Sequence, residues 1–417
     1  MAEKITYVSI DLEGKIHLVG RLWAHARKGR ESASFQYDSS WLENPERFSL
    51  EPSLPLTEGS FHTEADKAMF GAIGDSAPDR WGRVLMRRAE FLKAQEEKRA
   101  QHTLIEIDYL LQVNDEARQG ALRFSSKIGD EFLAPSGRKS IPPLLELPKL
   151  LSASNHFLED DANAEDLKLL LAPGSSLGGA RPKASIRDGN GQLAIAKFPR
   201  NDDDFPIVLW EAVALTLAAQ SGIIVPEWRV ETIVDKPVII IKRFDRKAQN
   251  RIPFLSAMSM IGARDNEHHS YLELVDALKQ YGAKPRQDII SLWRRIVFSI
   301  LISNTDDHLR NHGFLYSSSK GWRLSPSYDM NPTPISVRPR ILTTAIDLSN
   351  TTASLDIAIS VASEFGLNLS DAKTIIKEVG KVVANWRSIA SRLGISQLEI
   401  NRMASAFEHE DLRQAVN

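Results

Sequence analysis

The sequence predicts an α+β protein with a β-rich beginning and a mainly helical end. Three observations carry this reading. Residues 4–50 alternate in the two-residue rhythm of strands; hairpin signals stand near 183–198 and 313–324; and from about residue 268 apolar positions recur at helical spacing. The 417 residues are 42% hydrophobic and 25% charged, the composition of a globular chain with room for two or three cores. The 52 Lys+Arg nearly cancel the 54 Asp+Glu, so no overall charge drives the chain toward nucleic acid or anionic membrane. There is no cysteine, which excludes disulfides, thiolate metal sites and a cysteine nucleophile. The first residues, with Glu3 and Asp11, lack the apolar run of a signal peptide. The most apolar stretch, Ile296–Ile302, is about a third of a membrane span. A cytoplasmic protein without membrane attachment is expected.

Three segments are expected: 1–125, 126–246 and 247–417. In the first, Ile5, Tyr7 and Ser9 alternate with Thr6, Val8 and Ile10; Ile16, Leu18 and Gly20 open a second strand and Ser34–Tyr37 gives a third. Residues 51–62 form a Pro/Ser/Gly loop. Glu64–Arg99 turns helical, with Asp79 as a helix start before Trp81, Val84 and Leu85. Arg80, Arg83, Arg87, Arg88 and Lys93 read as its solvated face. The polar stretch 125–140, with Pro135–Ser136–Gly137, reads as a linker. Leu144, Leu145, Leu147, Leu150 and Leu151 then predict helix within 142–172. Strands are expected at Lys183–Arg187 and Gln192–Phe198 around the turn Asp188–Gly191, and at Glu227–Val234 and Val238–Phe244. Between them lies an apolar helix over 207–221, closed by Gly222.

Five features could carry chemistry. The run 173–183 holds Gly178 and Gly179, whose backbone N–H groups could cradle phosphate, and ends at Lys183. It is not a P-loop, and alone it reads as a surface loop. Lys197 ends an apolar strand, where a single lysine would ordinarily snorkel. Glu211 in the next helix changes that, because a strand lysine followed by a helix glutamate is how protein kinases hold the α- and β-phosphates. The most specific feature is Ser303–Phe314. Asp306 and Asn311 stand there in D-x-x-x-x-N spacing, the spacing of the kinase catalytic loop. One carboxylate would take the hydroxyl proton and one amide oxygen would hold a metal. Two other readings of this stretch are a His/Asp metal site built from Asp306, Asp307, His308 and His312, and a plain capping loop with Asp306 as N-cap of a short helix. Last, Asp329 follows the second hairpin, where kinases place their other metal carboxylate, although Asp-Phe-Gly is absent. The five features stand in kinase order.

With Ser34–Asp38, Leu54–Leu56 and Asp75–Gly82 added, the chain resembles the HipA family, bacterial Ser/Thr kinases that act as toxins in toxin–antitoxin pairs. The resemblance spans almost the whole chain. It implies a HipA-like, protein-kinase-like bilobal fold: a β-rich N-terminal subdomain over 1–125, the rest of the N-lobe over 126–246, and a helical catalytic lobe over 247–417. Carried over, Ser176, Gly178, Gly179, Ala180, Arg181 and Lys183 resemble the ATP-contacting loop, Lys197 the phosphate lysine with Glu211 as its helix partner, and Lys242, Arg243 and Phe244 the hinge that would meet adenine. Asp306 resembles the catalytic aspartate and Asn311 and Asp329 the Mg²⁺ ligands, with Tyr328, His308 and Arg310 bordering ATP. The family also implies autophosphorylation in the Gly-rich loop, on Ser176 or the adjacent Ser175, whose added charge would oppose the ATP phosphates.

The resemblance thus implies ATP- and Mg²⁺-dependent phosphorylation of a protein, such as an aminoacyl-tRNA synthetase. The partner would be a small helix-turn-helix antitoxin of the HipB type, through which DNA is mainly contacted. The rival readings are a small-molecule kinase and a catalytically silent corepressor scaffold.

Overall fold

The alternating residues at the start of the chain form three long antiparallel strands in the computed structural model, which describes residues 4–27, 29–134, 141–171, 179, 181–317 and 321–417. The chain divides into two compact units, one of Met1–Asn201 with Glu231–Leu255 and one of Asp202–Val230 with Ser256–Asn417.

In the first unit, β1 (Lys4–Leu12), β2 (Lys15–Arg27), β3 (Arg30–Tyr37), β4 (Ser60–His62) and β5 (Leu122–Ser125) form a sheet in the order β4-β3-β2-β1-β5. Thr6, Val8 and Ile10 face the core while Ile5 stays exposed. The alternation slips once: Val8 pairs with Gly20 and Ser9 with Leu18, leaving Val19 as a bulge, so Ser9 is buried as well. Gly20 is obligatory beside that bulge, since a Cβ there would run into the Gln36 carbonyl. Asp38 caps the short α1 (Ser39–Leu42), which buries Trp41, and α2 (Gly71–Gly74) follows. Helix α3 (Arg80–Glu96) starts where the sequence predicts, with the Asp79 carboxylate accepting the Gly82 N–H at 2.8 Å. After α4 (Glu106–Gln112), the leucine-rich stretch expected to be helical forms a 3₁₀ turn at Leu144–Glu146 and two helices, α5 (Leu147–Leu158) and α6 (Ala164–Leu171). The break falls where Asp160 adopts a left-handed backbone, φ 63°.

β6 (Lys183–Arg187) and β7 (Leu193–Lys197) close the expected hairpin, with Asp188 Oδ1 accepting the N–H groups of Asn190 and Gln192 at 2.9 and 2.8 Å. β8 (Trp228–Ile233) precedes β9 (Lys236–Lys242), which pairs antiparallel with β7. β10 (Arg246–Lys247) and β11 (Asn250–Arg251) make a small hairpin before β12 (Phe254–Ser256). The inner face of β6, β7 and β9 packs Ile186, Ala196 and Ile240 against Leu85, Leu150 and Leu167 of the helices.

Residues 113–121 cross this unit without regular structure, yet they are largely buried. Their carbonyls therefore need donors from elsewhere. Arginines supply them, one from within the stretch: Arg118 donates to Val113, Arg251 to Asp115, Arg246 to Glu116 and Arg118, and Arg243 to Ala117 and Arg118. Asp245 answers the excess charge. It pairs with Arg243, accepts Arg246 at 2.8 Å and accepts the Gly120 N–H at 2.8 Å. Burial pushes its carboxyl up, but Arg243 and Arg246 outweigh that and hold it well below the usual carboxylate range. Burial likewise lowers Arg246 to about 9.

The second unit is mainly helical: α7 (Ile207–Gln220), α8 (Ala257–Met260), α9 (Tyr271–Tyr281), α10 (Pro285–Leu301), α11 (Leu355–Ser360), α12 (Leu369–Val383), α13 (Trp386–Arg392), α14 (Gln397–Arg402), α15 (Ala404–Phe407) and α16 (Glu410–Val416). Its single described hairpin is β13 (Gly313–Tyr316) with β14 (Trp322–Leu324), in the register Phe314↔Leu324. α7 is apolar all round and buried, as a central helix should be. Trp386 stacks on Phe407 at 4.4 Å, and Trp210 flanks both rings. α10 starts at Pro285 and is sealed from Ile296 to its end, so the residues after it emerge from the core itself. No described helix is long and apolar enough to cross a membrane.

Candidate functional site

The stretch 303–312 leaves α10 with Ser303 in a left-handed conformation, φ 53°. Of its ten residues only Asp306 and Arg310 are exposed, with His308 half-buried. A buried polar loop needs partners, and most come from residues 331–344. Asn304 Oδ1 accepts the Asn331 N–H at 3.1 Å, Thr333 donates to the Ser303 carbonyl, and Thr343 donates to Thr305 through both N–H and Oγ1. Arg340 donates to Ser303 Oγ and to the Ile300 carbonyl, and pairs with Asp411 at 2.7 Å.

Asp307, next to the exposed acid, is the buried anchor. Tyr271 Oη donates to its carboxylate at 2.6 Å, Ser299 Oγ at 3.3 Å, and His312 Nε2 lies at 3.1 Å, off the hydrogen-bonding line. Burial pushes this carboxyl up, but the charge and contacts of His312 and the Tyr271 hydroxyl bring it below its usual range. Asp307 and His312 thus partner each other. Among the described residues no group of three or more His, Asp or Glu gathers as a metal cage, so the transition-metal reading of Asp306, Asp307, His308 and His312 has no such cluster to rest on.

Asp306 itself is 70% exposed, and Arg338 Nη1 lies 3.2 Å from its Oδ1. The 3₁₀ turn Leu309–Asn311 has His308 at its N-cap with no side-chain cap bond, which removes the capping explanation for Asp306. Asn311 Nδ2 donates to the Asp306 carbonyl at 3.1 Å, which fixes the amide and turns its oxygen end away from that carbonyl. Tyr328 Oη donates to the Arg310 carbonyl at 2.8 Å, tying the segment that carries Asp329 to the loop. Arg310 pairs with Asp265 at 2.9 Å. Asp329 is half-buried with φ 55°, a left-handed backbone that costs a non-glycine residue energy. One carboxylate and one amide oxygen suit a hard divalent cation that also takes phosphate oxygens, since Mg²⁺ is ordinarily held by one or two carboxylates plus substrate rather than by a full protein cage.

In the first unit, Ser175, Ser176, Gly178 and Ala180 lie outside the described residues. Gly179 has φ 90°, which glycine alone adopts at ease. Arg181 is half-buried and Lys183 buried. Lys183 Nζ is held by the buried Asp79 carboxylate at 2.8 Å. Lys197 ends β7 directly opposite Lys183. Lys242 ends β9. At the expected hinge, the Arg243 N–H is committed to the Leu193 carbonyl and its guanidinium to the arginine network, while the Phe244 ring lies 6.4 Å from that of Phe254. Glu211 is buried on α7 in the second unit.

Comparison with known proteins decides the family. A model of the HipA-like C-terminal domain matches residues 175–386, just over half of the chain, and a model of the HipA N-terminal domain matches residues 12–107. The chain belongs to the HipA family. A Shewanella oneidensis MR-1 structure described as the toxin–antitoxin system HipA, HipB and its operator DNA complex shares the fold, with TM-score 0.65 and 15% identity over 98% of this chain and 96% of that one. A Sinorhizobium fredii protein named "Putative kinase Y4mE" is 23% identical over 37% of this chain and 41% of its own length. A Haemophilus influenzae protein named "Putative kinase" is 28% identical over 24% of this chain and 31% of its own length. The matches span under half of either curated relative.

Three features of this HipA-family chain lie beyond the residues that its sequence singles out. Arg338 faces Asp306 from 32 positions away and bears no motif. Tyr271, the third member of the Asp307–His312 cluster, comes from a helix that the sequence does not mark. Asp79 is plain as a helix start, but its second partner, Lys183, lies 104 residues further on.

Proposed function

We propose that this protein is a Mg·ATP-dependent HipA-type Ser/Thr protein kinase, controlled by a small helix-turn-helix antitoxin. The observation that carries the reading is the loop 303–312, a braced and buried stretch that exposes one acid, Asp306, beside Asn311 and the Tyr328–Asp329 segment. A carboxylate so placed can accept a hydroxyl proton without backbone movement, which is the positioning that phosphoryl transfer demands.

The residue roles rest on chemistry. The Asp306 carboxylate orients the substrate hydroxyl and takes its proton. Arg338, now on Oδ1, must share that carboxylate with the incoming hydroxyl. Asn311, through its amide oxygen, and Asp329, through its carboxylate, hold Mg²⁺. When bound, that ion neutralises charge on the phosphate oxygens. Lys197 steadies the phosphates as a point charge. His308, Arg310 and Tyr328 border the nucleotide, Lys242–Phe244 face adenine through backbone, and a serine at 175 or 176 is the autophosphorylation site.

The test is direct. The wild-type chain should show a thermal shift with Mg·ATP and label a protein in a cell lysate, or itself, from labelled ATP. Asp306→Gln should retain the thermal shift and lose labelling by at least about a thousandfold. Labelling by Asp306→Gln at the wild-type rate would remove the assignment, and labelling confined to metabolites would make this a small-molecule kinase.

A further inference from the structure

The β6–β7 hairpin sets Lys183 and Lys197 directly opposite each other. Two like charges so placed on one face of a sheet repel. Asp79 relieves that repulsion from an unexpected direction. One of its oxygens accepts the Gly82 N–H and caps α3 at 2.8 Å, while the other takes the Lys183 ammonium at 2.8 Å. The two side chains are 2% and 4% exposed, so the pair is out of water. Trp81, two residues further on, adds two grips. Its N–H donates to the Gly179 carbonyl at 3.3 Å, and its indole Nε1–H donates to the Lys183 carbonyl at 3.1 Å. Gly179 has a left-handed backbone that disfavours any side chain, and a Cβ there would stand 3.0 Å from the Lys183 ammonium.

We infer that the start of α3 is a positioning clamp for Gly179 and Lys183: Asp79 takes the charge of Lys183, and Trp81 fixes the carbonyls of both. This deepens the kinase reading and rests on it. Lys183 then acts as a structural lysine whose countercharge comes from the N-terminal part of the chain, and Lys197 is the lysine that meets phosphate. Asp79, Trp81 and Lys183 are positioning residues, and their effect is on ATP affinity more than on the chemical step.

Asp79→Asn separates the two roles of that carboxylate. Asparagine caps a helix as well as aspartate, but it carries no charge for Lys183. Hydrogen exchange without nucleotide comes first: Asp79→Asn should speed exchange at 179–183 and at the Trp81 N–H while β1–β3 stay unchanged. Unchanged exchange at those positions overturns the clamp, whatever the kinase activity. Steady-state kinetics comes second. KM for ATP should rise about tenfold in Asp79→Asn, with kcat within about threefold. Lys183→Met alone strands the Asp79 charge and should behave similarly. The double variant Asp79→Asn/Lys183→Met leaves no orphan charge and should recover both melting temperature and KM toward wild type. If the double variant binds ATP as poorly as Lys197→Met, Lys183 touches phosphate itself and the positioning role is wrong. If the wild-type chain shows no Mg·ATP shift, the kinase reading fails while the exchange result still decides the clamp.

Discussion

The two units bury charge in opposite ways. The first unit buries it across long sequence distances: Arg243 and Arg246 reach carbonyls of residues more than 120 positions earlier, and Lys183 reaches Asp79. The second buries its key acid largely within one loop and the helix before it, with His312 five residues from Asp307 and Ser299 eight, and reaches further only for Tyr271, 36 residues earlier. Long-range charge pairs hold together segments that have no regular structure of their own, as at 113–121. Short-range ones stiffen a loop that an apolar helix has already delivered to its place. The first unit should therefore fail all at once when a charge is removed, whereas the second should lose its loop before its core.

The largest expected effect breaks the first kind. Asp245→Asn leaves two buried guanidinium groups without their countercharge and should cost about 3–5 kcal/mol. Urea unfolding checks it, and a loss under about 1 kcal/mol would mean the network is not what holds residues 113–121. Asp307→Asn is the counterpart in the second unit. It keeps a group for Tyr271 Oη but drops the charge beside His312, so about 1–3 kcal/mol is expected. Labelling activity should fall much further than stability, and equal losses in both would argue against local stiffening.

Acid sharpens the contrast. His409 donates from Nε2 to the Leu301 carbonyl and accepts the Leu412 N–H at Nδ1, the neutral ring's pattern, as N-cap of α16. Burial and the nearby Arg340 lower it from 6.5 to about 4. A base lowered in this way contributes stability that is complete above pH 6.5 and is lost as pH falls toward 4, about 3 kcal/mol in all. Asp245 is lowered too, but its contribution persists until pH drops below the ordinary carboxylate range near 4. The second unit should therefore loosen first on acidification, and His409→Gln should flatten its pH dependence between 6.5 and 4. Melting temperature across that range, with and without the substitution, is the measurement. The smallest effect belongs to Arg338→Ala. Both partners of its pair with Asp306 are largely exposed, so stability should change by less than about 0.5 kcal/mol. The labelling rate should still change, because Arg338 is the cation beside the carboxylate proposed to take the hydroxyl proton.

The same contrast explains how much was legible in the sequence. The hairpin at 183–198, the start of α3 at Asp79 and the Asp306–Asn311 loop rest on local signals: turn chemistry, a cap and a spacing. The fold class was readable from the strand rhythm and the apolar helices. The arginine network was not, since nothing near Arg118 names Arg243 or Arg251 as its neighbours. Nor was the pairing of Lys183 with Asp79, which belongs to a helix start 104 residues earlier. The bulge at Val19 also escaped, because it breaks the two-residue rhythm by which the strand is read.

The left-handed backbone at Asp329 sets stability against chemistry at a single position. Glycine would sit there at ease, and the aspartate costs the fold about 1 kcal/mol by staying. Asp329→Gly should raise the melting temperature by a degree or two while removing a carboxylate on which the proposed chemistry depends. A library selected for thermal resistance alone would drift toward this change, and one selected for the proposed labelling activity would purge it.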